Sequence, residues 1–218
     1  MDYSIDNIPK FDGKTAVVID VSGSMCSNLS GKSDVQYVDI ARLFGCALFK
    51  ANPYNTEVFG FDSNVYSYNL SSRTPVIDMI NSINANGGST DLWQVFAAFK
   101  AHGKLFERVI ILSDMQAWDS SGYSQSVQSY FSQWVARLPH VPKVYSVDLA
   151  GYGTSQFGDV SMVSGWSEKI FSIIGILEQD KNALINIIKN YEIPKKSAIS
   201  GTENYSRKER KFKKGGSK

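Results

Sequence analysis

Three short stretches of this 218-residue chain hold the residue types that bind a hard divalent cation. Asp20-Val21-Ser22-Gly23-Ser24 follows an apolar run. Gly87-Gly88-Ser89-Thr90-Asp91 precedes a stretch with helical spacing, and Ser113-Asp114 closes a second apolar run. Ions such as Mg²⁺ take oxygen ligands in octahedral geometry and usually keep some of their water. The hydroxyls of Ser22, Ser24 and Thr90 are candidate direct ligands, while Asp20 and Asp114 are candidates to anchor the ion through water and balance its charge. A coordination sphere of mainly neutral oxygens leaves the cation strongly electrophilic, ready to take a carboxylate from a partner. Ser89, beside Thr90, offers a competing hydroxyl. An Asp or Ser after a strand often does no more than form a turn or cap a helix. Against that reading stand the three segments together. Asp20 also follows an all-apolar strand, where an uncompensated carboxylate is costly.

The elements that must carry these residues are legible in the hydrophobic pattern. Lys14 to Asp20 and Arg108 to Leu112 are short β-branched runs of the kind that form strands buried on both faces. Ser33 or Asp34 is expected to cap a helix running to Lys50, with Tyr37, Ile40, Ala41, Phe44 and Leu48 at helical spacing. A strand over Thr56 to Phe61 and a returning edge strand over Val65 to Leu70 follow, then a helix after Pro75 running through Ile83. Thr90 or Asp91 is expected to cap a helix with Leu92, Val95, Phe96 and Phe99 facing in. Beyond Arg108–Leu112 come a helix over Gln125 to Arg137, strands over Val144 to Leu149 and Val160 to Val163, and helix over Glu168 to Tyr191 in one or two pieces. Strands alternating with helices imply right-handed crossovers and an α/β, doubly wound, mostly parallel sheet with helices on both faces. In such sheets ligands bind beyond the carboxyl ends of the strands, where Asp20 and Asp114 fall.

Asp20-Val21-Ser22-Gly23-Ser24-Met25, then Thr90, then Asp114, resemble the metal-ion-dependent adhesion site of von Willebrand factor A domains. The resemblance covers about residues 12–193. It implies six strands with one antiparallel edge strand in a Rossmann-like arrangement, and Mg²⁺ or Mn²⁺ held directly by Ser22, Ser24 and Thr90, with Asp20 and Asp114 often acting through water. Within that superfamily the chain is most similar to the A domain of the Ro (TROVE) RNA-binding proteins. The similarity lies in Phe59-Gly60-Phe61-Asp62, in Gly87-Gly88-Ser89-Thr90-Asp91 (a GGTD element with one residue added) and in Ile111 to Trp118. It continues in Leu149-Ala150-Gly151-Tyr152-Gly153 and Ser164-Gly165-Trp166-Ser167. Ro proteins also carry a ring of helical repeats that encircles RNA ends. This chain has no room for that ring, so RNA binding through it is not carried over.

Composition bounds the rest. Apolar residues make up 43% and charged residues 20%, ordinary for a globular protein. No apolar run reaches the ~20 residues of a membrane helix, and the first residues have no secretory pattern. Cys26 and Cys46 have neither metal nor redox spacing. These features place the chain in the cytoplasm, away from membranes. The net charge of +2 divides unevenly: residues 195–218 carry +7 and residues 1–194 carry −5. We therefore read residues 1–194 as one domain and 195–218 as a basic tail without periodicity, open to RNA.

Other signals lead elsewhere. Gly31-Lys32-Ser33 lacks the earlier glycine of a phosphate-binding loop, since position 26 is Cys. His102 and His140 are too isolated for a zinc site or a triad, and no GxSxG turn occurs. An enzyme is not expected: a metal-dependent hydrolase wants several direct carboxylates and a base. Asp119 and Asp148 read as solvated turn carboxylates, and Trp93 and Trp134 as core. Trp118 and then Tyr152 are the candidates for a ligand-contacting rim. The reading is a metal-dependent module that takes an Asp or Glu from a protein partner, in a ribonucleoprotein setting. The rival is RNA binding through Lys195–Lys218, with a structural or vestigial metal site.

Overall fold

A computed structural model describes residues 8–115, 123–153, 157–158, 160–167, 169–179 and 183–191. The strands β1 (Thr15–Asp20), β2 (Thr56–Phe61), β3 (Val65–Tyr68), β4 (Arg108–Ser113), β5 (Lys143–Asp148) and β6 (Ser161–Ser164) form one sheet in the order β3-β2-β1-β4-β5-β6. Every neighbouring pair is parallel except β2–β3, which is antiparallel at one edge. The helices among the described residues are α1 (Tyr37–Ala51), α2 (Val76–Ser82), α3 (Trp93–Ala101), α4 (Tyr123–Val135), α5 (Lys169–Gln179) and α6 (Ala183–Lys189).

The two-residue period of a strand sends alternate side chains to opposite faces. In β1, Val17 and Ile19 join α1, α2 and α5 through Phe44, Leu48, Met79, Phe171 and Ile174. Ala16 and Val18 join α3 and α4 through Val95, Phe96, Phe99, Phe131 and Trp134. Central strands β1 and β4 are buried along their whole length, as their apolar runs require. On one face α1 lies so close to β1 that a Cβ on Gly45 would stand 2.5 Å from Ile19 Cδ1. On the other, Phe59, Phe96, Phe99, Phe106, Phe131, Trp134 and Phe157 make a network of ring contacts, edge-on except for Phe96 stacked on Trp134. Trp134 is buried with its indole N–H donated to the Lys104 carbonyl at 2.9 Å, and Trp93 packs half-buried against Tyr130.

Two helix starts differ from the sequence reading. α1 begins at Tyr37, after Gln36 rather than Ser33 or Asp34. A bridge between Asn28 and Gln36 holds Gln36 extended, and its N–H is taken by Asp39 Oδ2 at 2.9 Å. α3 begins at Trp93 without a side-chain cap. Thr90 turns away to bond Ser22, and Asp91 instead accepts from the Gln94 side chain. Residues 192–218, including the tail, lie outside the described residues.

Candidate metal centre

β1 and β4 are direct neighbours, so their carboxyl ends bring Asp20 and Asp114 to the same place. Both acids and Ser22 are fully buried. The third segment arrives because the turn after α2 folds back over β1. Gly23 N–H donates to the Gly88 carbonyl at 3.0 Å, and Gly87 N–H to the Val21 carbonyl at 3.3 Å. That approach needs small residues: a Cβ on Gly88 would meet Asp62 and Ser63 within 3.0 Å, and Gly87 has φ +77°. Here the hydroxyls converge. Ser22 Oγ lies 3.2 Å from Ser24 Oγ, and Thr90 Oγ1 donates to Ser22 Oγ at 3.1 Å. Ser22 is buried while Ser24 and Thr90 are half-buried, so the triad runs from the interior toward solvent. Ser89, the competing hydroxyl, is engaged elsewhere, 2.9 Å from Ser63 Oγ.

Asp20 is held by neutral groups throughout. Its carboxylate accepts the Ser113 hydroxyl at 2.6 Å and the Ser22 N–H at 3.0 Å. Burial pushes its pKa up to about 6. The Ser113 and Ser22 hydrogen bonds oppose the rise, and the neighbouring Asp114 charge adds to it. The turn after β4 is unusual: Met115, buried, has φ +57°, a left-handed conformation that non-glycine residues rarely adopt. Its N–H bonds back to Ser113 Oγ at 3.0 Å. Ser113 thus ties the Asp20 carboxylate to the turn that carries Asp114. The sequence reading quoted Ser113 but gave it no role, since a hydroxyl ending an apolar strand has no pattern that marks it.

This donor set suits a small hard cation. Two buried carboxylates lie close together here, Asp20 with neutral hydrogen-bond partners among the described residues, and three hydroxyls sit beside them with oxygen lone pairs to offer. Among the described residues no group of three or more His, Cys, Asp or Glu side chains is placed to hold a metal ion, so the oxygens on offer here are largely hydroxyls. A groove of about 730 Å³ lies at the opposite, amino end of the sheet, lined by Lys10, Asp12, Arg108, Lys143 and Glu178. Three of its charged groups are matched to one another, since Glu178 takes two hydrogen bonds from Arg108 and one from Lys143.

Compared with solved structures, the chain aligns with the Ro (RSR) protein of Deinococcus radiodurans at a TM-score of 0.58 and 16% identity. This is a Ro-like, von Willebrand factor A-type fold. The alignment covers 74% of this chain and 33% of that one, so the chain spans about a third of the length of that protein. Looser alignments reach proximal thread matrix protein 1 of the mussel byssus, with TM-score 0.48 and 14% identity over 82% of this chain and 46% of that one. An aerotolerance-related membrane protein of Bacteroides fragilis aligns at 0.39 and 14% identity over 62% and 66%. No family model and no curated protein sequence matches the chain. No described helix is long and apolar enough to cross a membrane.

Around the centre of this Ro-like fold the rim residues divide. Tyr152 is exposed on the loop after β5. Trp118 and Asp119 lie outside the described residues. Asp148 is a correction: it is fully buried rather than a solvated turn acid, because its carboxylate accepts three backbone N–H groups.

Proposed function

We propose that the chain is a non-enzymatic, metal-dependent protein-binding module, with Mg²⁺ or Mn²⁺ held by Ser22, Ser24, Thr90, Asp20 and Asp114. One observation carries this reading: the hydroxyls of Ser24 and Thr90 both meet that of Ser22 beside two buried carboxylates, and the hydrogen-bond partners of Asp20 are neutral. A bound divalent cation supplies an electrophilic position for an outside carboxylate. The chain's part is to fix the hydroxyls through the Gly23–Gly88 contact, to hold Asp20 through Ser113, and to keep the acids away from bulk water. A protein partner bearing an exposed Asp or Glu is the fitting ligand. In this reading the ion's direct ligands are mainly hydroxyls, whereas a metal-dependent hydrolase wants several direct carboxylates and a base. A cytoplasmic place accords with the unpaired spacing of Cys26 and Cys46.

The decisive experiment is capture of partners by the full chain with and without chelator, and with and without nuclease. Loss on chelation and on Ser22→Ala supports the reading, and full retention in chelator sinks it. The charge division of −5 and +7 favours a second reading, RNA contact through Lys195–Lys218, in a ribonucleoprotein setting. Binding lost to nuclease or to removal of the tail, and indifferent to chelator, would favour that one.

A further inference from the structure

β5 and β6 end side by side, with Asp148 paired to Ser164. Buried Asp148 fixes the backbone that leaves both strands. Its carboxylate accepts the N–H groups of Ala150, Gly151 and Gly153 at 3.1, 2.8 and 2.7 Å. Its main-chain carbonyl accepts the Gly165 N–H at 2.9 Å. Gly151, Gly153 and Gly165 all have positive φ, at +77°, +71° and +114°. Tyr152 stands between the first two of these glycines and Trp166 directly follows the third. The rings themselves are 56% and 53% exposed. Two large aromatic side chains are therefore held out toward solvent from loops pinned underneath by one acid.

The pair lies at the same end of the sheet as the hydroxyl triad, because β1, β4, β5 and β6 are successive parallel neighbours. At ~4.8 Å per strand position, the loops after β5 and β6 are roughly 10–15 Å from the end of β1. An extended segment covers that distance in roughly four residues, an even separation that returns its side chains to the same face.

We propose that Tyr152 and Trp166 form a second contact for the protein partner. They take an apolar or aromatic side chain from the segment whose carboxylate goes to the metal centre. The proposal rests on the metal-dependent protein-binding reading. A protein is favoured over single-stranded nucleic acid because a peptide needs one carboxylate, which the cation takes, whereas a phosphate chain brings a negative charge at every position to a body whose residues 1–194 carry −5. An aromatic–apolar contact is indifferent to that charge. Exposed Tyr and Trp are also the residues that dominate protein interfaces.

The test is selection of random linear peptides displayed on phage against the immobilised full chain in Mg²⁺. The expected enrichment is an Asp or Glu with an aromatic or large aliphatic residue roughly three to five positions away. A synthetic peptide of enriched sequence should lose about tenfold or more in affinity for Tyr152→Ala or Trp166→Ala. Both positions are exposed, so these variants keep the fold, and Mg²⁺ titration should read the same as in the unsubstituted chain. Binding that is lost in both variants yet indifferent to chelator and to Ser22→Ala would sustain the aromatic contact and remove the metal alone. The proposal is overturned if enriched peptides bind both variants as well as the unsubstituted chain, or if no peptide is enriched. It is also overturned if an oligouridylate binds the same surface in a Tyr152- and Trp166-dependent way, which would assign the pair to nucleic acid.

Discussion

Ser113 donates its hydroxyl proton to the Asp20 carboxylate at 2.6 Å, across the seam between the two central strands. Both groups are fully buried. Ser113→Ala leaves that carboxylate short of one hydrogen bond in a place water does not reach. The expected loss is about 1–3 kcal/mol of stability, read by urea denaturation without added metal. Ser113→Thr keeps the hydroxyl and should recover part of it. Equal stability of Ser113→Ala and the unsubstituted chain would show that the bond contributes nothing.

Added Mg²⁺ or Mn²⁺ should raise the melting temperature. At about a hundred times the dissociation constant, mass action contributes roughly 2.7 kcal/mol. For a chain of this size that is roughly 5–10 °C. Asp20→Ala and Asp114→Ala should flatten the response, and titration calorimetry on the same proteins supplies the direct measurement. Identical metal affinity in Asp20→Ala would remove the centre.

The amino end of the sheet sets a pH dependence. Burial acts to raise the Glu178 pKa, but hydrogen bonds from Arg108, Lys143 and Tyr145 prevail and hold it down at about 2, against an ordinary 4.5. A carboxylate with a lowered folded pKa stabilises above its unfolded pKa and loses that contribution as pH falls through the folded one. The window is therefore pH 4.5 down to 2. The contribution is on the order of 2 kcal/mol, reduced by the solvent around half-exposed Lys143. Glu178→Gln should lower stability at pH 7 and lose less than the unsubstituted chain on acidification. Parallel curves for the two proteins would contradict it.

Packing between α1 and β1 gives a test with a reversed sign. Gly to Ala inside a helix normally stabilises, by roughly 0.5–1 kcal/mol. Gly45→Ala should instead destabilise by roughly 1–3 kcal/mol, because the new methyl would sit 2.5 Å from Ile19 Cδ1 in a closed core. Adding Ile19→Val removes that carbon. The double variant should cost less than the sum of the two single ones, a coupling that thermal melts of all four proteins would reveal.

For the tail, removal of residues 195–218 should abolish most binding to RNA while metal affinity stays. Binding by the full chain should weaken with salt by roughly 0.7 log units per decade for each phosphate contacted on a single strand. Filter binding at several salt concentrations, full chain against truncated, gives the slope. Equal slopes would make the tail inert.

Much of this was legible from residue pattern. The apolar runs ending at Asp20 and Leu112 gave central strands, and the order of hydroxyls and acids placed Ser22, Ser24, Thr90 and Asp114 at one end of a parallel sheet. What resisted reading was dictated by contacts distant in sequence. Ser33 looked like a helix cap but yields to Gln36, because a bridge to Asn28 sets the entry angle. Asp148 looked like a turn acid, and its burial depends on three amides that follow it around a glycine-rich loop. Ser113 carries no signature at all, since its partner lies 93 positions away.

That separation has a kinetic side. β1 pairs with β4 from Thr15↔Arg108 onward, so closing the centre of the sheet brings together segments some ninety residues apart and costs the entropy of closing that loop. Non-local parallel pairing of this kind is slow to form. During synthesis, Asp20 emerges long before Asp114, and no part of the chain shorter than about half its length can assemble the centre. Metal uptake, where it occurs, would therefore report on completed folding, and a ligand fastened there would fasten the two central strands to each other.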